Sequence, residues 1–147
     1  MSTSIRRVDP RGLRFSAAIT SVVLALILVL PATISTPLLA AQVVVFAASA
    51  LVGLQYSPYA QLFARVVRPR IGAPPHTEDA RPPRFAQMVG LAFTAAGLLT
   101  VLVGAATAGL VLIAFALVAA LLNATTGFCL GCEMYLTFRR FAPVRTA

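Results

Sequence analysis

The sequence predicts an all-α membrane protein with four transmembrane helices, arranged as two parallel-repeat helical hairpins with both termini in the cytoplasm. Three observations lead to this prediction. Of the 147 residues, 59% are hydrophobic and only 11% are charged, which is too apolar for a soluble domain of this length. Four long stretches carry no charged side chain. The arginines cluster outside these stretches.

The four apolar stretches lie at residues 15–32, 38–56, 85–103 and 110–128. A hydrocarbon core about 30 Å thick is crossed by roughly 20 residues of helix, and each stretch approaches this length. Runs such as SVVLALILVL lack the alternation that a membrane β-barrel requires. The predicted organisation is an N-terminal segment at 1–14, a first hairpin at 15–63, a proline- and arginine-rich loop at 64–84, a second hairpin at 85–138 and a tail at 139–147.

The position of the positive charge predicts the orientation. Arginines precede the first span, lie between the second and third spans and follow the fourth, whereas the links PATISTP and GAATAG carry no charge. Because cytoplasmic loops are enriched in arginine, both termini and the central loop are predicted to be cytoplasmic, in a multi-pass protein of the inner membrane. The net charge of +8 then indicates contact with the lipid bilayer rather than with nucleic acid. The arginines predicted to set topology or dock a partner are Arg11, Arg14, Arg81, Arg84, Arg139 and Arg140.

A repeated motif supports the two hairpins. DPRGLRFS, from Asp9, and DARPPRFA, from Asp79, share the pattern D-x-R-x-x-R-F-small and lie seventy residues apart. An aspartate caps helix starts, and proline suits the first helical position. Each copy therefore opens a pair of spans, and two hairpins that enter from the same side form a parallel repeat.

Glycines in the third span predict close helix packing. Gly90, Gly97 and Gly104 recur every seven residues and form a small-residue seam that another backbone can approach. This seam suits packing within the bundle, a homo-oligomer, or a structural membrane subunit with no chemistry of its own.

The only cysteines, Cys129 and Cys132, form a C-x-G-C motif followed by Glu133. A span that begins near Leu110 reaches Phe128 after about 19 residues of helix, which places both cysteines at the cytoplasmic interface. That compartment keeps thiols reduced, so the sequence predicts a dithiol rather than a permanent disulfide.

Residues three apart share a helix face, so the two sulfurs can meet. If the preceding NATTG breaks the helix, Cys129 starts a new turn whose partial positive charge stabilises a thiolate, and the sequence leaves this point open. Cys129 is predicted as the attacking thiolate and Cys132 as the resolving one. Glu133 is either a base for a thiol proton or an interfacial carboxylate paired with an arginine.

Metal chemistry is a second interpretation of the cysteine pair. Two cysteines make an incomplete zinc site, although a soft ion such as Cu(I) accepts two thiolates, here those of Cys129 and Cys132. No other cofactor is predicted. A small transporter or metal-handling protein would use the dithiol as a capture site, and in a structural subunit the cysteines are small buried hydrophobes.

Four segments together resemble a known family. VDPRGLRF, SPYAQLFARVVRPRIG, EDARPPRFAQMVGLAF and NATTGFCLGCEMY are similar, in this order, to small bacterial membrane proteins of domain-of-unknown-function family 4395. The resemblance implies that C-x-G-C is the family hallmark. It also implies a thiol-redox or sulfur-relay role with a thioredoxin-like or sulfurtransferase partner, because relatives tend to be encoded beside such proteins. Whether the chain is itself an enzyme stays open.

Overall fold

Four long helices account for most of the fold. The computed structural model describes residues 6–142, and the protein is 82% helical. The helices are α1 Pro10–Val29, α2 Ala32–Ala47, α3 Pro58–Leu62, α4 Arg68–Ile71, α5 Arg81–Leu102, α6 Ala106–Thr126 and α7 Leu130–Phe141, and the strands are β1 Arg7–Val8 and β2 Glu78–Asp79. π-helical turns at Ala48–Val52 and Phe63–Val67 continue α2 and α3, and a 3-10 turn covers Leu54–Tyr56. Residues 64–71 and 81–84 of the region predicted as a proline- and arginine-rich loop are therefore helical.

Helices α1, α5, α6, and α2 with its π-helical turn are long and apolar enough to span a membrane, as the sequence predicts. Each has 20–22 residues and a mean hydropathy of 1.8–2.3. Their outward faces are apolar, since Val22, Val44, Leu99 and Val118 are 60–66% exposed. Apolar surface of this extent suits helices surrounded by lipid. The fold is therefore consistent with a multi-pass membrane protein.

The two copies of the repeated motif form the starts of α1 and α5. Asp9 caps α1, because its carboxylate accepts hydrogen bonds from the backbone N–H and the guanidinium of Arg11. Pro10 takes the first helical position. Asp79 makes the same bonds to Arg81 just before the proline-containing first turn of α5. Asp9 thus caps α1, whereas Asp79 lies one residue before Ala80, the N-cap of α5, and both helices start several residues upstream of the predicted spans.

The ends of α6 and α2 are each held by an arginine from another helix. Arg14 of α1 donates to two carbonyl oxygens in the last turn of α6, at 3.1 and 3.3 Å. Arg84 of α5 donates to two carbonyl oxygens in the π-helical turn that ends α2, at 2.7 and 2.9 Å. Arg14 and Arg84 are equivalent residues of the repeated motif, so the two copies make matching contacts.

A short antiparallel ladder joins β1 to β2. Val8 lies opposite Glu78, and Arg7 lies opposite Asp79. The Arg7 side chain also donates to the hydroxyl and the carbonyl oxygen of Thr77, both at 2.6 Å. Since Val8 and Glu78 hold equivalent positions, seventy residues apart, the ladder is centred between the two copies.

Aromatic pairs repeat in the same way. The ring of Phe15 in α1 lies 5.6 Å from that of Phe63, at the end of α3. The equivalent Phe85 in α5 lies 5.7 Å from Tyr135 in α7. Each long-helix pair is thus followed by a short helical segment that packs on the first helix of its own pair.

A hydrophobic core fills the half of the bundle away from the strands. Leu24, Ile27, Leu39 and Ile113, from α1, α2 and α6, are 0–3% exposed. Helix α1 packs against α2 and α6, and α5 packs against the same two helices. The end of the bundle that carries the strands is packed differently, as described below.

Two of the three seam glycines pack against neighbouring helices. Gly90 faces the ring of Phe46. Gly97 faces Ile113 and the backbone of Gly109, where α5 crosses α6. The third, Gly104, lies beyond the end of α5 in the turn to α6, with a positive φ of 91°. Gly90 and Gly97 therefore allow close contacts between helices of the bundle, whereas Gly104 allows the turn after α5.

Gly109→Ala is expected to lower the melting temperature of the purified protein in detergent. A Cβ at this position would lie 2.6 Å from Val101 and 2.8 Å from the carbonyl oxygen of Gly97, and overpacking of this kind costs about 1–3 kcal/mol. Ala108→Val, at an exposed neighbouring position, is the control. Equal melting temperatures for Gly109→Ala and the wild type would contradict the close crossing.

Candidate functional site

The cysteines lie at a break between α6 and α7. Helix α6 ends at Thr126, and Gly127 follows in the left-handed conformation, with φ 77°. The Thr126 hydroxyl accepts a hydrogen bond from the backbone N–H of Phe128 at 3.1 Å, which closes the turn. Cys129, with extended backbone, is the N-cap of α7. Helix α6 is therefore broken before Cys129, which the sequence left open. Glycine suits the positive φ at this break because it has no Cβ.

Cys129 and Cys132 are joined in a disulfide, with their Cα atoms 5.2 Å apart. The prediction of a reduced dithiol is therefore wrong for this structure. The reason is local: the cap conformation turns the Cys129 side chain back over the first turn of α7, where Cys132 lies. Oxidation state depends on the surroundings of a protein as well as on its sequence.

The start of α7 supplies hydrogen-bond donors to Cys129. The backbone N–H of Cys132 donates to the Cys129 sulfur at 3.2 Å, and that of Glu133 donates to the Cys129 carbonyl oxygen at 3.0 Å. The first N–H groups of a helix have no partner within it. The Cys129 sulfur, rather than that of Cys132, is therefore the one that accepts a hydrogen bond at this helix start.

Gly131 allows the disulfide to lie close to the bundle. A Cβ on this residue would be 2.6 Å from both Cα and Cβ of Ala86, the small residue that ends the second copy of the repeated motif. Helix α7 and α5 therefore approach backbone to backbone at the level of the disulfide. The glycine within C-x-G-C is a packing requirement here.

The disulfide lines a cavity of about 710 Å³, which we call the central cavity. It lies in the strand-bearing half of the bundle, between α1, α2, α5 and α6, with α3 and α7 at its edges. Near the disulfide its wall is charged and includes Arg14 and Glu78. Its deeper wall is apolar and aromatic, with Phe46, Phe93 and Phe115. The hydrophobic core occupies the other half of the bundle, so the central cavity is not part of a continuous passage through the described residues.

Glu133 is exposed, and within residues 6–142 it forms no ion pair. The expected ion pair of Glu133 with Arg139, Arg140 or an arginine of the central loop is absent from the described residues. The guanidinium of Arg139 lies over the ring of Tyr135, 5.9 Å from its centroid, and Arg140 is exposed. The catalytic role predicted for Glu133 stays a prediction.

The other arginines singled out in the sequence are engaged within the chain. Arg11 pairs with Asp9 and also donates to the carbonyl oxygen of Gly72 at 2.9 Å. Arg81 pairs with Asp79 at 2.7 Å. Arg14 and Arg84 hold helix ends as described above. Their predicted roles in topology and docking stay predictions.

Hydrogen bonds from arginine lower the pKa values of Asp9 and Asp79. The side chain of Arg11 lowers the pKa of Asp9 below its ordinary value of 3.8, and burial opposes this effect. Arg81 lowers the pKa of Asp79 in the same way. Both carboxylates therefore stay ionised at neutral pH. Burial raises the pKa of Tyr59, whose hydroxyl donates to Gln42 at 2.7 Å.

Within the part of the chain that the structure describes, no three His, Cys, Asp or Glu side chains are grouped so as to hold a metal ion. His76, the only histidine, lies 3.9 Å from Glu78 at the surface. The soft-metal interpretation of Cys129 and Cys132 requires both thiolates free, and in this structure their sulfurs are bonded to each other.

Sequence reasoning missed the wall of the central cavity. On α6 this wall consists of Phe115, Ala116, Ala119, Ala120 and Asn123. The small residues among them recur three or four positions apart, which places them on one helix face. This spacing, in a helix otherwise rich in leucine, is the signal that could have revealed the cavity.

Gly131→Ala is expected to speed reduction of the disulfide severalfold, because the added methyl group pushes α7 away from Ala86 and exposes the sulfurs. Reduction by dithiothreitol is followed over time by the gel shift of a maleimide-polyethylene glycol adduct. Thr137→Val, at an exposed position on α7, is the control. An unchanged rate for Gly131→Ala, with a normal melting temperature, would refute the role given to this contact.

The comparison with known families matches nearly the whole chain. The profile of the family described as "Domain of unknown function (DUF4395)" matches residues 8–140, which extend from β1 through α7. No curated protein and no solved structure matches the chain significantly. The matched range contains both copies of the repeated motif and the C-x-G-C disulfide, and the chain belongs to the DUF4395 family, as its motifs predict.

Proposed function

We propose that the protein exchanges electrons or sulfur with a soluble thioredoxin-like or sulfurtransferase protein, by cycling Cys129 and Cys132 between disulfide and dithiol. The observation that supports this most directly is the disulfide at the N-cap of α7. The only two cysteines of the chain are bonded across the first turn of a helix, where N–H groups favour a thiolate. Both are half-buried at the edge of the bundle rather than enclosed in its core.

The proposed exchange needs only these two sulfurs and a partner pair. In the reduced state, the Cys129 thiolate attacks a partner disulfide and displaces one partner thiolate, which forms a mixed disulfide. The Cys132 thiolate then attacks Cys129, which releases the second partner thiolate and restores the disulfide. Two electrons pass to the partner, and each step runs in reverse when the partner is the reductant. In the sulfur-transfer form, the Cys129 thiolate attacks the outer sulfur of a partner persulfide, which breaks the partner S–S bond, forms a Cys129 persulfide and releases the partner thiolate.

The location of the site suits a soluble partner. Helix α7 carries exposed Arg139 and Arg140 beyond the disulfide, and its side chains Met134, Phe138 and Phe141 are 44–83% exposed. An exposed surface that combines apolar and cationic side chains is typical of a docking site. We assign Arg139 and Arg140 to docking because neither forms an ion pair within the described residues.

We further propose that the two helix pairs are hairpins inserted in the same direction, with both termini and the disulfide on the cytoplasmic side of the inner membrane. The matching contacts of Arg14 and Arg84 support a parallel repeat, as does the ladder centred on Val8 and Glu78. The excess of arginine at this end supports its orientation. Disulfides in reducing compartments are usually transient and catalytic or redox-sensing, which agrees with the proposed exchange.

Cys132→Ser is expected to trap a partner protein through Cys129, because the mixed disulfide can no longer be resolved. The variant is expressed in cells, purified under acid quench and analysed on non-reducing gels for adducts that disappear with reductant. The matched control is Cys129→Ser, which lacks the proposed attacking thiolate and is expected to trap at least ten times less. Absence of any mixed disulfide or persulfide on Cys129 would overturn the proposed function.

Reporter fusions test the orientation. A fluorescent protein that matures only in the cytoplasm, fused to the C-terminus, is expected to fluoresce. A phosphatase that is active only outside the cytoplasm, fused after Gly104 in the turn between α5 and α6, is expected to be active. The opposite pair of results would place the disulfide on the outer side.

A further inference from the structure

Two polar side chains that line the central cavity, Thr20 and Asn123, lack hydrogen-bond partners within the described residues. Thr20 lines the cavity and is only 7% exposed. The hydroxyls of Ser21 and Thr94 donate to carbonyl oxygens of their own helices. Within residues 6–142, by contrast, neither the Thr20 hydroxyl nor the Asn123 amide has a hydrogen-bond partner. Both side chains line the central cavity, so their donors are available to a ligand there that accepts hydrogen bonds.

The dimensions of the cavity limit the ligand. Arg14 lies level with the last turn of α6, and Thr20 lies six residues, or about 9 Å, deeper along α1. From Pro10 to Thr20 the wall runs about 15 Å, so 710 Å³ corresponds to a mean cross-section of about 50 Å². That section admits one substituted six-membered ring and a chain attached to it.

The chemistry of the wall limits the ligand further. The rings of Phe93 and Phe115, whose centroids are 6.4 Å apart, line the deep part together with Phe46 and Ala119. The arginine and carboxylate side chains lie near the disulfide end. A ligand of this cavity is therefore planar, uncharged and apolar, with oxygen atoms that accept hydrogen bonds from Thr20 at the deep end and from Asn123 in the last turn of α6, near the disulfide. Phe115 is 62% exposed and lies within a helix that is apolar enough to span a membrane, so this end of the cavity suits a ligand that arrives from the lipid.

We propose that the central cavity binds a membrane quinone, which oxidises the reduced Cys129 and Cys132. A quinone is a planar ring with two carbonyl acceptors, and it dissolves in the bilayer. The reaction balances without another reagent: two S–H bonds break, one S–S bond forms, and the two carbonyl groups of the quinone take two protons and two electrons to become hydroxyls. This inference rests on the proposed function, since the soluble partner supplies the electrons that reduce the disulfide.

The experiment uses the full-length protein in lipid nanodiscs, reduced with dithiothreitol and desalted. Decylubiquinone is the probe, because its fully substituted ring does not add to thiols. Loss of quinone absorbance and loss of maleimide-reactive thiols are followed together. The wild type is expected to reduce one quinone per chain, with both thiols lost and no adduct in the mass spectrum. Thiols that persist in the presence of decylubiquinone would overturn the inference.

Variants of the cavity test its location. Ala119→Phe fills the cavity and is expected to slow quinone reduction at least tenfold, whereas Ala114→Phe, on α6 but outside the cavity wall, leaves the rate unchanged. Thr20→Val keeps the volume, removes the hydroxyl and is expected to raise the KM for quinone severalfold. If Ala119→Phe does not fold, the KM of Thr20→Val tests the location of the quinone site. Wild-type rates in a folded Ala119→Phe, or a wild-type KM in Thr20→Val, would overturn the assignment.

A separate measurement distinguishes this inference from the proposed function. The oxidised protein is mixed with reduced thioredoxin, and formation of its two thiols is followed without quinone. Ala119→Phe is expected to react at the wild-type rate in this assay. Reduction by thioredoxin without reoxidation by quinone would remove only the quinone inference. Reoxidation by quinone without exchange with thioredoxin or any trapped partner would instead count against the proposed soluble partner.

Discussion

The hydrogen bonds from Arg14 to the carbonyl oxygens of Ala124 and Thr125 fix the end of α6, and the site depends on that end. The last carbonyl groups of a helix have no partner within it, and a guanidinium supplies two charge-assisted donors at once. Because α6 ends here, the chain turns at Gly127 and Cys129 becomes the cap of a new helix. A helix that continued through Gly127 would carry the cysteines on a regular turn, without free N–H groups facing the sulfur.

An equivalent arginine holds a helix end in the first half of the chain, and the comparison shows which features occur only beside the disulfide. Arg84 holds the end of α2, and Gly53, with a positive φ of 152°, follows that end. A 3-10 turn then leads to Ser57, the residue that precedes α3. In the second half the residue at the start of the following helix is Cys129. Two halves with matching contacts thus differ at a helix cap, where one has a hydroxyl and the other a thiol bonded to Cys132.

Much of the fold could be predicted from the sequence, because its strongest determinants are local. Apolar runs of membrane length predict the four long helices, and the D-x-R pattern predicts the starts of α1 and α5. The disulfide, by contrast, depends on oxidation state and on the break after α6, whose last turn the distant Arg14 holds through two hydrogen bonds. The pairing of Val8 with Glu78 is equally non-local. The C-x-G-C motif follows the last long helix, but its disulfide and the contact of Gly131 with Ala86 required the fold, and its role as a functional site stays a prediction.

The central cavity follows from the choice of residues along α6. Near its start this helix places Ile113 in the core, where the side chain is fully buried. Further along, Ala119 and Asn123 face the cavity, and the larger apolar side chain of Val118 faces outward. Leucine at position 119 would fill space and add dispersion contacts. With alanine at this position, the protein is less stable than a bundle with a filled cavity would be. Proteins retain such departures from close packing mainly at functional sites. The alanine face of α6, the unpartnered Thr20 and the disulfide are therefore best understood as parts of one site.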